Sequence, residues 1–358
     1  MENLEMMPDK EFWRGRKVVL TGHTGFKGGW LAIYLHRLGA QITGIALSPE
    51  TRPSLFYAAV VKELVTHHVC DIRDQYQLST IIKSAQPEIV LHLAAQALVR
   101  ESYSQPAATF ATNVLGTVHV LDALRGLDCV KAAVMVTTDK VYRNPEHGRP
   151  FCEGDELGGH DPYSASKAAS ELVIASYRDA YLQQQGVRVA SSRAGNVIGG
   201  GDWSADRLIP DAIRAWQTGQ ILDIRRPASV RPWQHVLEPL TAYLVLAQAL
   251  VDGKVAPGAF NFGPPVDANA TVQQVIELAR NAYHAGNVRY ADTPEGVHEA
   301  GLLSLNVEKA RDLLGIEARF SLSQAVETTM NWYRAFANGA DAYKLCLNDI
   351  HTFEALHE

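Results

Sequence analysis

Cysteine is scarce in this chain, and the few present show no pairing. Cys70, Cys129, Cys152 and Cys346 never approach a CxxC spacing. No structural metal site or disulfide framework is therefore expected, and reduced thiols in a cytoplasmic protein are. Long apolar runs are missing too: none reaches the roughly 18 residues that a membrane-spanning helix needs. The opening stretch, MENLEMMPDKEFWRGR, is charged and lacks the apolar core of a secretory signal. Nor is there an excess of positive charge. The net charge is −6 and the pI about 6.1, which argues against broad nucleic-acid binding and leaves any anionic ligand to a local cationic pocket. No internal repeat, low-complexity tract or Ser/Gly-rich linker interrupts the chain.

What is present is the composition of a globular enzyme, 47% hydrophobic and 20% charged over 358 residues, enough for one large domain or two closely joined ones. Residues 17–20 read as an apolar strand that runs into TGHTGFKG (residues 21–28). A helix over 30–38 follows, stopped by Gly39, and then a strand over 41–46. The alternation continues with strands over 65–70, 88–93, 132–137 and 187–192 and helices over 75–84, 107–124 and 163–184. This order predicts an α/β fold with a Rossmann-type doubly wound parallel sheet of six or seven strands over roughly residues 15–195. After Gly195 the glycine-rich GNVIGGGDW precedes a helix over 208–218 and short segments punctuated by Pro and Gly. A smaller, irregular α/β C-terminal lobe is expected there. The reading is thus a dinucleotide-binding domain over 1–195 and a mainly substrate-binding lobe over 196–358. The apolar helix over 241–251 should return to the sheet, and a ligand cleft should lie between the lobes.

Two patterns carry chemistry. Gly22, Gly25 and Gly28 follow the first strand at a GxxGxxG spacing. Glycines there allow a tight turn and close approach of a pyrophosphate, and the helix behind them offers free N–H groups. The spacing otherwise serves only a turn and close helix packing. The acid that usually meets the cofactor ribose at the end of the second strand is missing. Ala46, Leu47 and Ser48 stand there, then Glu50 and Arg52, which leaves NADP open beside NAD. Asp71, in CDIRD, either meets the adenine or caps a helix. The second pattern is YSASK, which puts Tyr163 and Lys167 one helical turn apart. A phenol beside an ammonium and a positive nicotinamide should ionise below its usual value of about 10 and serve as the base for an alcohol proton.

Beyond these two patterns the chain resembles the extended short-chain dehydrogenase/reductase family over nearly its full length. TGHTGFKG matches that family's TGxxGxxG, HLAAQ (92–96) its loop after strand four, TNVLGT (112–117) its helix asparagine, and VTTDKVY (136–142) its strand-five segment. The resemblance implies NAD as cofactor, with contacts at Gly22, Gly25, Phe26, Lys27 and Gly28, at Asp71 and Ile72, and at Leu93, Ala94 and Ala95. Asn113, Tyr163 and Lys167 complete that set. It implies catalytic roles for Thr138, Asp139, Lys140, Tyr163 and Lys167, and no metal. Thr138-Asp139-Lys140 resembles the acid–base pair of the family's sugar-nucleotide 4,6-dehydratases, with lysine where most have glutamate. Asp139 would then be the acid and Lys140 the base, which requires a neutral amine. The plainer reading is a surface ion pair.

GGGDWSADRLIPD (199–211) and RPWQHVLEPL (231–240) resemble the substrate loops of the branch that acts on CDP-glucose. Substrate phosphates would meet Asn196, Arg207 and Arg231, for which loop capping and surface solvation are the alternatives. Trp233 and His235 fit the core better than the site. The long helices over 107–124 and 163–184 fall where relatives form a homodimer interface. Two rivals share much of this pattern. One is a sugar-nucleotide 4-epimerase or reductase, which would share Tyr163 and Lys167. The other is a non-catalytic NAD(P)-sensing Rossmann protein, which would not need them.

Overall fold

The computed structural model describes residues 7–145, 148–284, 286–292 and 301–357. The first six residues of the charged N-terminal stretch lie outside them. Six strands fall where the sequence places them: β1 (Lys17–Thr21), β2 (Gln41–Ala46), β3 (Thr66–Val69), β4 (Ile89–His92), β5 (Ala132–Val136) and β6 (Arg188–Ala194). All pair in parallel, in the order β6-β5-β4-β1-β2-β3. A seventh strand, Ala259–Phe262, adds in parallel outside β6. It comes from beyond the stretch 15–195, and its sequence AFNF hides it. Asn261 interrupts the apolar run and is buried only because it bonds the Tyr142 hydroxyl at 2.6 Å and the Phe151 carbonyl at 2.9 Å.

Helices cover both faces of the sheet, as a sheet of continuous apolar strands requires. Val18 and Leu20 point to one face, into a core shared with the helix Phe26–Arg37 and the C-terminal lobe. Val19 points to the other face, toward the helices Gln75–Ala85, Gly116–Ala123 and Pro162–Tyr177. The expected returning helix begins a turn earlier than the sequence suggests, at Leu237, and runs to Val251. It is apolar on every side and buried over nearly its whole length, as a helix sandwiched between a sheet and a second lobe should be.

The remainder of the C-terminal half is built of two-stranded ladders and helices. Val197–Ile198 pairs with Gln234–His235, Ile221–Ile224 with Asn287–Tyr290, and Val230–Arg231 with Ala270–Thr271. The four cysteines are free thiols. Among the described residues no helix is long and apolar enough to cross a membrane.

Candidate active site

The strand order reverses direction at β1, which has β2 on one side and β4 on the other. Chain leaving β1 and β4 therefore opens a crevice at their carboxyl ends, where ligands of such sheets bind. Two loops meet there. Thr21, the last residue of β1, lies opposite His92 of β4 and bonds its Nδ1 at 2.7 Å. The Thr21 hydroxyl also accepts the N–H groups of Leu93 and Ala94, both at 3.1 Å. Burial holds His92 down at about 3, with the Lys167 charge adding to it, so the ring is neutral. These bonds lay the backbone of residues 93–95 against the glycine loop.

The glycine spacing then has a steric reason. Gly22 has φ +81°, and a Cβ on it would stand 2.7 Å from the Ala94 nitrogen. A Cβ on Gly28 would stand 2.1 Å from the Gly22 carbonyl oxygen. Gly25 caps the helix Phe26–Arg37 without a side chain, so the first N–H groups of that helix face outward without a side-chain acceptor. A closely approaching dinucleotide diphosphate fits this cradle. Leu93, Ala95 and Lys27 line the cleft that opens from it, while Phe26 is buried against the core.

Asp71, Ile72 and Asn113, like the three glycines, Phe26 and Ala94, lie behind the lining of that cleft. Asn113 lies in a π-turn, Ala111–Leu115, within the long helix. It spends its amide on the protein: it donates to the Gln96 carbonyl at 3.0 Å and the Ser166 hydroxyl at 2.9 Å, and accepts from the Gln96 N–H at 2.9 Å. It thereby fastens the loop after β4 to the catalytic helix. Asp71 forms a paired-oxygen contact with Arg73, at 2.6 Å for the closest pair. Ile72 is buried beside Gly116.

The candidate reacting groups stand just after β5 and on the helix Pro162–Tyr177. Asp161 caps that helix by accepting from the Ser164 N–H at 2.9 Å, and Pro162 occupies its first turn, a strong start signal. Tyr163 is thus held at the helix entrance, 8% exposed. Lys167, 7% exposed, donates to the Val136 carbonyl at 3.2 Å. Directly after β5, Thr138 donates to Asp139 Oδ1 at 2.9 Å and lies beside the Tyr163 phenol, whose ionised form it favours. Asp139 is buried, and its second oxygen has no hydrogen-bond partner in the protein. Lys140 Nζ stands 3.6 Å from Asp139 Oδ1. This pair is no surface ion pair, since Asp139 is 1% exposed.

The protein alone does not activate the Tyr163 phenol. Burial pushes Tyr163 up to about 12; Thr138 works against this, Asp139 adds to it, and Arg207 again opposes it. Lys167 is itself pulled down to about 8 by burial, although Glu171 supports its charge. Desolvation outweighs the ammonium one turn away, so the resting phenol is neutral at pH 7.

On the facing side, Asn196, Arg207 and Arg231 all line the same cleft. Arg207 is oriented by Asp202 at 2.9 Å. Arg231 donates to the Val230 carbonyl at 2.8 Å. Asn196 Oδ1 is buried with no hydrogen-bond partner in the protein. His235 is a core residue, as expected, held down at about 3 by burial, whereas Trp233, though buried and donating to the Ala270 carbonyl at 3.1 Å, also lines the cleft.

The sequence of this fold and site matches the model of the NAD dependent epimerase/dehydratase family over residues 18–263. The chain belongs to that family. Among curated relatives of this epimerase/dehydratase, a CDP-glucose 4,6-dehydratase of Salmonella typhimurium is 43% identical over 94% of this chain and 95% of its own length. A UDP-glucose 4-epimerase of Halalkalibacterium halodurans is 28% identical, over 90% and 97%. Among solved structures, an epimerase from Methanothermobacter thermautotrophicus superposes with a TM-score of 0.80 at 23% identity, covering 94% of this chain and 98% of that one.

Several residues of this family member's site escaped the sequence reading. Glu171 sits one turn beyond Lys167 and takes Arg193 of β6 at 2.8 Å, the Thr137 hydroxyl at 2.5 Å and the Ser191 hydroxyl at 2.7 Å. The YxxxKxxxE spacing was a signal for it. Arg100 and Arg225 both reach Asp206, at 3.1 and 3.7 Å, across the cleft mouth. No local pattern joins those three.

Proposed function

We propose that this chain is a sugar-nucleotide 4,6-dehydratase that converts CDP-D-glucose to CDP-4-keto-6-deoxy-D-glucose, and that it works as a cytoplasmic homodimer. The observation that carries the reading is Asp139, a buried carboxyl with one bare oxygen, between Lys140 and the Thr138–Tyr163 contact. Oxidation of an alcohol alone needs only a base such as Tyr163. A second acid–base pair beside it is what an elimination requires.

In this reading Tyr163 takes the hydroxyl proton from sugar carbon 4, with Thr138 and Lys167 orienting the reacting groups. Bound NAD⁺ supplies the hydride acceptor, and its reduced form the donor that returns hydride to carbon 6. Once carbon 4 is a ketone, the proton on carbon 5 is acidic. Lys140 is the base that removes it, and Asp139 delivers a proton to the oxygen leaving carbon 6. Asn196, Arg207 and Arg231 hold the diphosphate, for which the planar guanidinium groups are suited. The cofactor contacts are those of the glycine loop with Phe26 and Lys27, residues 93–95, Tyr163 and Lys167. Asp71, Ile72 and Asn113 complete the proposed cofactor set, at the ends of the strands and in the helix behind the glycine loop.

The dimer is supported by the exposed apolar side chains Phe110, Leu115, Leu172 and Tyr181 on neighbouring helices. Cytidine as the nucleotide base is supported by the 43% identical relative, a CDP-glucose 4,6-dehydratase, and by the resemblance of the loops 199–211 and 231–240. Incubation with NAD⁺ and each of CDP-, dTDP-, UDP- and GDP-glucose tests the reading. The expected result is a 4-keto-6-deoxy product, formed fastest from CDP-glucose. A 4-epimer as sole product, or faster turnover of another nucleotide sugar, would overturn it.

A further inference from the structure

The turn that carries Asp139 and Lys140 is held at both ends by one buried ion pair. One residue separates Thr137 from Asp139, and one separates Lys140 from Tyr142. The Thr137 hydroxyl donates to Glu171 Oε1 at 2.5 Å. Arg193, bound to Glu171 at 2.8 Å, donates to the Tyr142 hydroxyl at 2.9 Å and lies 5.0 Å from the centre of that ring. The Tyr142 hydroxyl in turn donates to Asn261 Oδ1 at 2.6 Å, on the seventh strand. Tyr142 is 3% exposed and lies behind the cleft lining, so it makes no contact with a ligand there. Its ring packs without help from the oxygen: it stacks on Phe151, with 4.9 Å between ring centres and 4° between planes. The hydroxyl is an added tie that joins the turn to β6 and to the seventh strand.

We infer that Tyr142 is a positioning residue for the elimination: through its hydroxyl, Arg193 and Asn261 fix the turn that aims Asp139 and Lys140 at the sugar. The inference rests on the reading above, in which that pair works on carbons 5 and 6. Oxidation at carbon 4 uses Tyr163 and Lys167 on the helix and Thr138 at the near end of the turn. Those groups are held through Asp161, Glu171 and Thr137, without Tyr142. Elimination uses groups of the short 3₁₀ turn Asp139–Val141, a conformation with poorer hydrogen-bond geometry than an α-helix. The backbone bonds beyond it, from Val141 and Arg143, run to Gly158 and Glu156 of a surface loop. The Tyr142 hydroxyl is what fastens the far end of the turn to the sheet. Displacement of reacting groups by about 1 Å can cost about 10²-fold in rate. Arg193 also anchors Glu171, one helical turn beyond Lys167, so a single guanidinium sets the elimination turn against the oxidation helix.

Tyr142→Phe keeps the ring and removes the tie. The whole protein with NAD⁺ is mixed with CDP-glucose in deuterated solvent, and two rates are read. Absorbance follows reduction of the enzyme-bound cofactor, and NMR follows uptake of deuterium at carbon 5. We expect reduction within about threefold of the unsubstituted chain and exchange at least about tenfold slower, so that the ratio of exchange to reduction falls. Phe151→Leu serves as the packing control. It removes the stack and keeps the hydroxyl, and it should lower thermal stability while leaving the ratio unchanged. An unchanged ratio in Tyr142→Phe would overturn the inference and leave the dehydratase reading standing. So would loss of both rates together in that variant, or a ratio that falls only in Phe151→Leu. If the unsubstituted chain reduces cofactor yet exchanges no carbon-5 proton, the reading on which the inference rests falls with it.

Discussion

At the scale of single residues, the site is governed by desolvation. Tyr163 is held at about 12 chiefly by burial, so its work as a base depends on positive charge arriving beside it. The oxidised nicotinamide is the natural source, which links proton removal to the presence of the hydride acceptor. Tyr163→Phe keeps the ring and loses the oxygen. Steady-state assays should show turnover reduced by about 10²–10⁴-fold, with sugar-nucleotide binding nearly unchanged. Near-normal turnover would remove Tyr163 from its role. Lys140 makes a second, separable case. If it acts only on carbon 5, Lys140→Met should still reduce enzyme-bound cofactor on mixing with substrate, yet exchange little of the carbon-5 proton with deuterated solvent. Exchange at the rate of the unsubstituted protein would exclude it as the base. Exchange lost only in step with cofactor reduction would place Lys140 beside Tyr163 in the oxidation.

At the scale of elements, the helix Pro162–Tyr177 is pinned at both ends of its working face. Asp161 caps its start, and Glu171 binds Arg193, both 4% exposed, through two hydrogen bonds. A buried pair of this kind is costly to break on one side only, because the surviving charge has nowhere to go. Arg193→Leu should lower unfolding stability by about 3–5 kcal/mol, measured by urea denaturation. A loss below about 1 kcal/mol would mean that the network contributes only what a surface pair does. The network also explains what was legible in the sequence. Tyr163 and Lys167 are read from one helical turn, and Glu171 extends the same spacing. Arg193 is 22 residues further on, and only the parallel pairing of β5 with β6 brings it back. The strands β1, β2, β4 and β5 declare themselves by apolar composition, while β3 (THHV) and β6 (RVASSRA) are read mainly from their place in the alternation. The seventh does not, because a buried Asn261 looks polar until its partners are known.

At the scale of the whole molecule, the fold places chemistry by bringing distant chain to one crevice. Lys27 and Tyr243 are 216 positions apart, and no periodicity in the sequence relates them. The returning helix Leu237–Val251 was legible as an apolar segment, but the side chain it would send toward the glycine loop was not. The C-terminal half also carries a charge that the site does not use. Asp349, on the helix Ala342–Glu354, has one buried oxygen without a partner, and burial raises it to about 8.

A raised carboxyl pKa means that the folded state holds the proton more tightly than the unfolded chain, whose value is about 3.9. Its effect on stability is absent below about pH 4, grows as a penalty while the pH rises, and levels off above about pH 8. Asp349→Asn should therefore raise the melting temperature at about pH 8.5 and leave it unchanged near about pH 4. Equal shifts at both would show that the carboxyl does not titrate as placed.

The assignment of the molecule as an internal redox dehydratase stands or falls on where one hydrogen goes. CDP-glucose carrying deuterium on carbon 4 should be converted with NAD⁺ and the product examined by proton NMR and mass spectrometry. The proposed chemistry moves the label to carbon 6 of CDP-4-keto-6-deoxyglucose within a single sugar. Label retained on carbon 4 of a CDP-hexose epimer, or lost to free cofactor, would contradict it.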